Sequence, residues 1–189
     1  MDVQNEHFRG ALAKRKASQK SFRLAGYDYS DAGAFFITVC SYKRRPLSGT
    51  IRDGEVQLSS IGEIVREQWL RTGVLRAEVE LDAFVVMPNH FHGILWIVDS
   101  EGPGICVRAH CNAPLRRSPK SLGSIISGFK GAVTRAARDE YSDRSLNFWH
   151  RNYFEHVIRN ERSLERIRRY IRNNPQKWQL DQYFTESSM

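Results

Sequence analysis

Four stretches of the chain combine apolar, β-branched and aromatic residues in runs of strand length. They are Ala34 to Tyr42, Val79 to Met87, His90 to Val98 and Asn147 to Ile158. Such residues pack well on a pleated surface, so each run predicts a β-strand. Asp53-Gly54, within Arg52 to Leu58, adds a hairpin-type turn signal after the first strand.

Apolar residues recur at helical spacing in two further stretches. Ser60 and Glu63 match a capping box, and apolar residues then follow every three or four positions to about Thr72. Ser121 can cap a second helix, which has an apolar stripe of Leu122, Ile125, Ile126, Phe129 and Val133. We therefore predict one helix after the first strand and another before the fourth.

A third helix completes the order of elements. Asn160 is its predicted cap, and it runs from Glu161 to about Asn173 before Pro175 stops it. The preceding order, strand-helix-strand-strand-helix-strand, is the ferredoxin-like split βαβ arrangement. The sequence thus predicts an α+β fold: a four-stranded antiparallel sheet with two helices packed on one face, plus a C-terminal helix.

The composition changes on either side of this region. Residues 1–22 contain few apolar residues and the basic residues Lys14, Arg15, Lys16 and Lys20. They indicate a flexible basic arm, with a solvated tail as the alternative. Residues 99–120 show no periodicity and are interpreted as a loop. We predict an arm over 1–22, one folded domain over 23–178 and a C-terminal tail over 179–189.

The charge of the chain indicates an anionic partner. Lys and Arg number 29 against 21 Asp and Glu, which gives a net charge of +8 over 189 residues. Nucleic acid is the usual partner of such a surface, although charge alone does not separate DNA from RNA or from a membrane surface. No apolar run approaches the roughly 18 residues of a membrane span, so we expect no membrane insertion.

The termini and the cysteines indicate the compartment. The N-terminus lacks the apolar segment and cleavage site of a signal peptide. The three cysteines form no CxxC pair, and Cys106, His110 and Cys111 have no second pair at the spacing of a zinc finger. We therefore expect reduced thiols and a cytoplasmic protein.

Two histidines begin the third predicted strand. His90 and His92 are two residues apart, so their side chains point to one face of the strand while Phe91 points to the other. Two imidazoles on one face can bind one metal ion. Such a pair is also often only hydrogen-bonded or exposed, so a third ligand is needed to support a metal site.

The last helix offers that ligand and a nucleophile. Tyr170 and Asn174 are four residues apart and lie on one face of the helix, at the edge of its core stripe of Leu164, Ile167 and Ile171. A helix laid beside the sheet could aim both at the histidine pair. Taken singly, Tyr170 could equally be a half-buried aromatic residue and Asn174 a helix-terminal residue before proline.

Three motifs give the chain a resemblance to a known family. They are Met87-Pro88-Asn89-His90-Phe91-His92, Trp149-His150-Arg151-Asn152-Tyr153-Phe154-Glu155-His156 and Arg169-Tyr170-Ile171-Arg172-Asn173-Asn174-Pro175. The chain resembles the single-tyrosine HUH transposases, in which HUH stands for His, hydrophobic residue, His. Within them it is most similar to the REP-associated tyrosine transposases (RAYT proteins), over roughly Ala34 to Trp178. The first and third motifs in this order are quite specific.

The resemblance implies an activity and a set of site residues. It implies that Tyr170 is the nucleophile, that His90 and His92 bind the metal, and that Asn174 is the third ligand. The family cleaves single-stranded DNA near palindromic hairpins, forms a 5′-phosphotyrosine link and rejoins strands. Histidine and amide ligands with open positions suit Mg²⁺ or Mn²⁺ better than a closed zinc site. The resemblance allows a monomer or a homodimer.

DNA recognition must come from basic and aromatic surface residues. The candidates for DNA binding are Lys43, Arg44, Arg45, Lys130, Arg135, Arg169 and Arg172. Arginine and lysine bind phosphate without reading sequence. Single strands also need aromatic rings on which bases stack, and the candidates are Trp149, Tyr153 and Trp178. For each residue, a solvated surface role is an equal alternative.

Two other functions fit parts of the pattern. A non-catalytic nucleic-acid-binding module on the same fold, akin to RNA-recognition domains, would bind without metal or cleavage. A replication-initiating or conjugative HUH nuclease is a weaker alternative, because such enzymes often order their motifs differently. Tyr153 is a weaker candidate for the nucleophile, because it lies on the predicted fourth strand without a partner at ligand spacing, and Tyr141, near the end of the second helix, is weaker still.

Overall fold

The structure is a computed structural model that describes residues 32–98 and 120–184. The basic arm predicted for 1–22, almost all of the loop predicted for 99–120, and both Cys106 and Cys111 lie outside the described residues. Within them, no helix is long and apolar enough to cross a membrane.

The described residues form six strands and three α-helices. In chain order these are β1 (Gly33–Cys40), β2 (Gly49–Arg52), β3 (Glu55–Leu58), α1 (Ser60–Leu75), β4 (Val79–Val86), β5 (His90–Ile97), α2 (Leu122–Glu140), β6 (Phe154–Ile158) and α3 (Glu161–Asn173). A short 3-10 helix, Pro175–Leu180, follows α3. The strands β2 and β3 form a separate hairpin through the predicted Asp53-Gly54 turn.

The main sheet has the predicted ferredoxin-like topology. Its strand order is β4-β5-β1-β6, and every neighbouring pair is antiparallel. In the register of β1 with β5, Thr38 lies opposite His92 and Cys40 opposite His90. The two histidines therefore lie on the strand next to β1, at the end of the sheet where β1 finishes.

The sheet separates two apolar cores. On one face, α1 and α2 pack against the sheet, with Trp69 of α1 and Phe129 of α2 both contacting Phe91 of β5. On the other face, α3 covers Phe36 and Ile94 with its buried residues Leu164, Ile167 and Ile171. Strand alternation puts His90 and His92 on the α3 face, as the sequence predicted.

Two of the element boundaries that differ from the sequence prediction have a clear structural reason. The side chain that caps α1 is Ser59, whose Oγ accepts from the Gly62 amide at 3.2 Å, and Ser60 is the first helical residue. The predicted fourth strand, Asn147 to Ile158, begins only at Phe154 in the structure. Trp149 makes an isolated bridge to Ser41 and is not part of that strand. Residues 150–153, between Trp149 and β6, form an irregular segment. The caps predicted at Ser121 and Asn160 are confirmed.

A polar contact fixes α3 against the edge strand β4. The guanidinium of Arg168 donates to both carboxylate oxygens of Asp82, with its Nη2 2.7 Å from Oδ2. Trp96 also donates its indole N–H to Asp82 at 3.3 Å. Because Arg168 is only two residues before Tyr170, this pair holds the tyrosine-bearing turn of α3 in register with the sheet.

Replacing Asp82 with asparagine is expected to lower the free energy of unfolding at neutral pH by about 2 kcal/mol, the usual size for hydrogen bonds to charged groups. Hydrogen bonds from Arg168 hold the pKa of Asp82 below its usual 3.8. A carboxyl pKa depressed by folding stabilises the fold above the unfolded-state pKa, and this stability is lost as the pH falls through the folded-state pKa.

Denaturant titrations at neutral pH and below pH 3.8 should therefore show a difference between wild type and Asp82→Asn that shrinks in acid. Glu80→Gln, at an exposed position of the same strand, is the matched control. Equal losses of stability in the two variants would contradict a role for this contact.

Candidate metal and nucleophile site

The two histidines form the floor of the site. Their ring centroids are 4.5 Å apart, and their side chains are 2% and 1% exposed for His90 and His92. Phe91 between them is fully buried in the opposite core. The strand therefore holds both imidazoles on one face with little freedom to move.

The hydrogen bonds of the histidines leave their Nε2 atoms facing the site. Asn89 donates from Nδ2 to the Tyr183 carbonyl at 2.7 Å, so its oxygen faces His90 Nδ1 at 2.9 Å, and that nitrogen must carry the proton. His92 Nδ1 lies 2.8 Å from the Thr38 hydroxyl. Partners on Nδ1 are how metal-binding histidines are oriented.

Burial keeps both rings neutral. It lowers the pKa of His90 to about 3, and the charge of Arg44 lowers it further. Burial also lowers the pKa of His92 well below its usual value, with His90 as a second cause. Neutral imidazole is the form that binds metals. Among the described residues, His90 Nε2 is buried without a hydrogen-bond partner.

The structure brings Tyr170 to the histidine pair. Its hydroxyl is 3.2 Å from His92 Nε2 and 3.4 Å from Asp181 Oδ2. Its ring packs edge-on against Phe36, with centroids 6.1 Å apart. Burial raises the pKa of Tyr170, and the negative charge of Asp181 raises it further. The resting phenol is therefore fully protonated at neutral pH.

Asn174 lies on the same side of α3, at its end. It is 3% exposed, and its Nδ2 donates to Asp181 Oδ2 at 2.9 Å. Its amide oxygen is buried and has no hydrogen-bond partner among the described residues. A buried polar atom of this kind is costly unless a ligand or water completes it. Asn174 is therefore available as an oxygen ligand, and its role as the third ligand stays a prediction.

The structure adds Asp181, which the sequence analysis left in the C-terminal tail. One ligand atom each from His90, His92 and Asp181 lie within 4.8 Å of one another, so these three residues could hold a metal ion. Asp181 ends the 3-10 helix after Pro175. No periodicity places a residue after such a turn, so the only signal in the sequence was an acidic residue shortly after the tyrosine motif.

Residues after Asp181 fold over the histidines. The Tyr183 ring lies 4.7 Å from the His90 ring, and the Arg44 guanidinium lies 5.2 Å from the centroid of Tyr183. The backbone amide of Tyr183 donates to Asp181 Oδ1 at 2.7 Å. These contacts fix the carboxylate of Asp181, whose other oxygen faces Tyr170 and Asn174.

The basic residues predicted to bind DNA lie in three places. Lys43 and Arg44 line a cavity beside the histidines. Lys130 and Arg135 line a groove between α2 and the segment before β6, where Lys130 donates to the carbonyls of His150 and Arg151. The other three are exposed: Arg45 in the turn after β1, and Arg169 and Arg172 on α3. DNA contact by these residues stays a prediction.

The three candidate stacking residues differ in how much of each ring is exposed. Trp149 and Trp178 are 6% and 5% exposed, because Trp149 packs against Phe148 and Trp178 against His90. Their surfaces are occupied by protein, so the prediction that they stack on bases is wrong for this conformation. Tyr153 is half-buried and lines the cavity beside the histidines, where a base could reach it.

Comparison with known proteins identifies relatives of the chain. An uncharacterized protein of Haemophilus influenzae is 36% identical over 177 residues, which cover 89% of this chain and 94% of that protein. The chain belongs to the same family as that protein. No protein-family model matches the sequence.

A solved structure confirms the predicted fold resemblance. It is that of a REP-associated tyrosine transposase bound to a REP hairpin, with a TM-score of 0.57 and 21% identity over 85% of this chain and 74% of that one. The chain therefore has the fold of a REP-associated tyrosine transposase.

Replacing Asp181 with asparagine is expected to weaken Mn²⁺ binding by about 10- to 100-fold, because the variant loses the negative charge of the three-residue cluster. Isothermal titration calorimetry measures the change. Asp143→Asn is the matched control, since Asp143 is an exposed carboxylate that accepts a hydrogen bond from the nearby Ser145 hydroxyl. Unchanged affinity in Asp181→Asn would remove Asp181 from the set of ligands.

Proposed function

We propose that this protein is a metal-dependent single-stranded DNA transposase. It cleaves and rejoins DNA next to palindromic hairpins through a 5′-phosphotyrosine intermediate on Tyr170. The observation that carries the proposal is the position of the Tyr170 hydroxyl, 3.2 Å from Nε2 of His92. A phenol from one element, held against a buried imidazole pair from another, is the arrangement that this reaction needs.

The donor atoms fit a divalent cation. Nε2 of His90 and the amide oxygen of Asn174 are buried without partners among the described residues, and Asp181 supplies a carboxylate beside His92. We propose His90, His92 and Asn174 as the ligands, with Asp181 as a fourth. Mixed nitrogen and oxygen donors with open positions suit Mg²⁺ or Mn²⁺. When bound, the ion supplies charge neutralisation for the phosphate oxygens and orients the scissile bond.

The residues of the chain account for the transfer step. The phenol oxygen of Tyr170 attacks phosphorus, and the bond to the 3′-oxygen breaks with its electron pair, which leaves a free 3′-hydroxyl after protonation by water. The proton of the phenol passes to water, since the nearby carboxylate of Asp181 is proposed as a metal ligand. The phosphotyrosine bond keeps the energy of the broken bond, so the reverse attack by a 3′-hydroxyl rejoins DNA without ATP.

The partner is proposed on chemical grounds and on similarity. The net charge of +8 and the basic side chains around the site favour a polyanion. The solved relative of the same fold is bound to a REP hairpin. Together these support a hairpin with an unpaired flank as the substrate of this chain.

A denaturing gel distinguishes this function from a non-catalytic binding module. The full chain is incubated with labelled single-stranded palindromic hairpins that carry unpaired flanks, in Mn²⁺, in Mg²⁺ and in EDTA. We expect a labelled band at the mass of protein plus DNA in Mn²⁺ or Mg²⁺, and none in EDTA. Tight binding that is unchanged by EDTA, with no covalent band for any hairpin, would favour the binding module instead.

A further inference from the structure

A cavity of about 420 Å³ opens beside the histidine pair. We call it the flank pocket. It is built from the end of β1, the turn after it, the segment before β6, and Tyr183. The residues that the inference uses are Lys43, Arg44, His150, Asn152, Tyr153 and Tyr183. Its size is that of a site for a small organic ligand.

The flank pocket adjoins the candidate metal site, because two of its lining residues contact the histidines. Thr38, which lines the pocket, lies 2.8 Å through its hydroxyl from His92 Nδ1. Tyr183, which also lines it, lies with its ring 4.7 Å from the His90 ring. No residue of α3 lines the pocket, so Tyr170 approaches the histidines from elsewhere. A DNA strand whose scissile phosphate faces Tyr170 can therefore place a neighbouring nucleotide in the flank pocket.

The lining of the flank pocket has the chemistry of base recognition. Tyr153 and Phe154 offer aromatic surfaces, on which unpaired bases stack. Asn152 is exposed at the wall, and a carboxamide can pair with the edge of a base. Lys43 and Arg44 supply positive charge from left-handed backbone conformations, with φ of 55° and 54°. Residues in that conformation carry strain, which is common where side chains are aimed at a ligand.

A second cavity continues the path away from the site. This groove, of about 680 Å³, shares His150 with the flank pocket. Its lining includes four arginines, Arg135, Arg138, Arg144 and Arg151, against one carboxylate, Asp139. A chain of phosphates that leaves the flank pocket past His150 meets this positive lining. The flank pocket can thus hold a base, and the groove can hold the phosphates of the same DNA strand.

We propose that the flank pocket binds the base of the unpaired nucleotide next to the scissile phosphate, and so contributes to the choice of cleavage site. This inference rests on the proposed function, because it assumes that the scissile phosphate lies at the histidine pair. Stacking on Tyr153 tolerates any base, whereas the Asn152 carboxamide supplies the preference. The arginine groove holds the backbone without regard to sequence.

The test combines an abasic scan of the DNA with pocket variants. In a Tyr170→Phe background with Mn²⁺, dissociation constants are measured for one hairpin in which each unpaired flank nucleotide is, in turn, made abasic or replaced by each of the other three bases. The hairpin is the one that forms the covalent band or, if none does, the one bound most tightly. The pocket variants are Asn152→Ala and Tyr153→Leu, with circular dichroism to check folding. Gln57→Ala, at an exposed position of β3 outside both the pocket and the groove, is the control.

We expect one flank position at which loss of the base weakens binding roughly ten-fold, the size of one base-stacking contact. At that position the abasic penalty should shrink to about two-fold in Tyr153→Leu, and base preference should relax in Asn152→Ala. In Gln57→Ala both the abasic penalty and the base preference should match those of the parent protein. Abasic penalties that are equal in the parent and in both pocket variants would overturn the inference.

The outcome is separable from that of the proposed function. A covalent band from the wild-type chain together with a flat abasic scan refutes the flank pocket and leaves the transposase function standing. An abasic penalty that shrinks in the pocket variants supports the pocket as a binding site. If the wild-type chain then forms no covalent band, the transferase chemistry is refuted.

Discussion

The Tyr170→Phe variant is expected to form no covalent protein–DNA adduct and to bind the hairpin about as tightly as wild type. The phenol oxygen is the proposed nucleophile, and loss of a nucleophile costs on the order of 10⁶-fold in comparable covalent enzymes. The ring should stay in place, because its contact with Phe36 does not involve the hydroxyl. The measurement is the labelled adduct on a denaturing gel in Mn²⁺, with hairpin affinity by fluorescence anisotropy.

Two tyrosines serve as controls for this prediction. Tyr141→Phe removes a hydroxyl that contacts Ser60 at 2.9 Å, on the exposed end of α2, and should keep full activity. Tyr153→Phe tests the competing nucleophile and should also keep the adduct. An adduct that survives in Tyr170→Phe and disappears in Tyr153→Phe would mean that the assigned nucleophile is wrong.

The His90→Ala, His92→Ala double variant is expected to lose the stabilisation by divalent metal that the wild type shows. A ligand at 100 times its dissociation constant stabilises a fold by about 2.7 kcal/mol, which corresponds to roughly 5–10 °C in Tm for a chain of this length. Removing both imidazoles takes away two of the three groups of the cluster. Thermal melts with Mn²⁺, Mg²⁺ and EDTA report the shift, and the adduct assay should show no product.

His156→Ala is the matched control for this variant. His156 is half-buried on β6, opposite Phe36 of β1, and lies outside the cluster of possible metal ligands. Its melts should keep the wild-type response to metal. If the double variant gains as much Tm from Mn²⁺ as the wild type does, then the ion binds elsewhere and the proposed site is wrong.

The sequence predicted the fold well because its signals are local. The caps at Ser121 and Asn160 and the stripes of α2 and α3 depend on spacings of three or four residues, which the helix itself imposes. The error at the fourth strand has a tertiary cause. Residues 150–153 were predicted to be extended, whereas Lys130 of α2 binds the carbonyls of His150 and Arg151 and the strand begins only at Phe154.

The candidate site was predicted in part. The histidine pair and the pair of Tyr170 and Asn174 each follow from the period of one strand or one helix. Asp181 was missed because its position depends on the turn through Pro175 and on hydrogen bonds to Asn174 and Tyr183, which join residues from separate elements. The roles of all these residues in catalysis and metal binding stay predictions until the variants are made.

The sequence by itself determined which residues share a face: the two imidazoles on one strand, and the phenol and amide on one helix. Only the tertiary structure decided that these faces meet within one chain, because the Asp82–Arg168 contact and the core around Phe36 set where α3 crosses the sheet. The tertiary structure also decided that Asp181 joins them and that a cavity opens beside them. Periodicity fixes directions along one element, whereas distances between elements depend on packing across the whole fold.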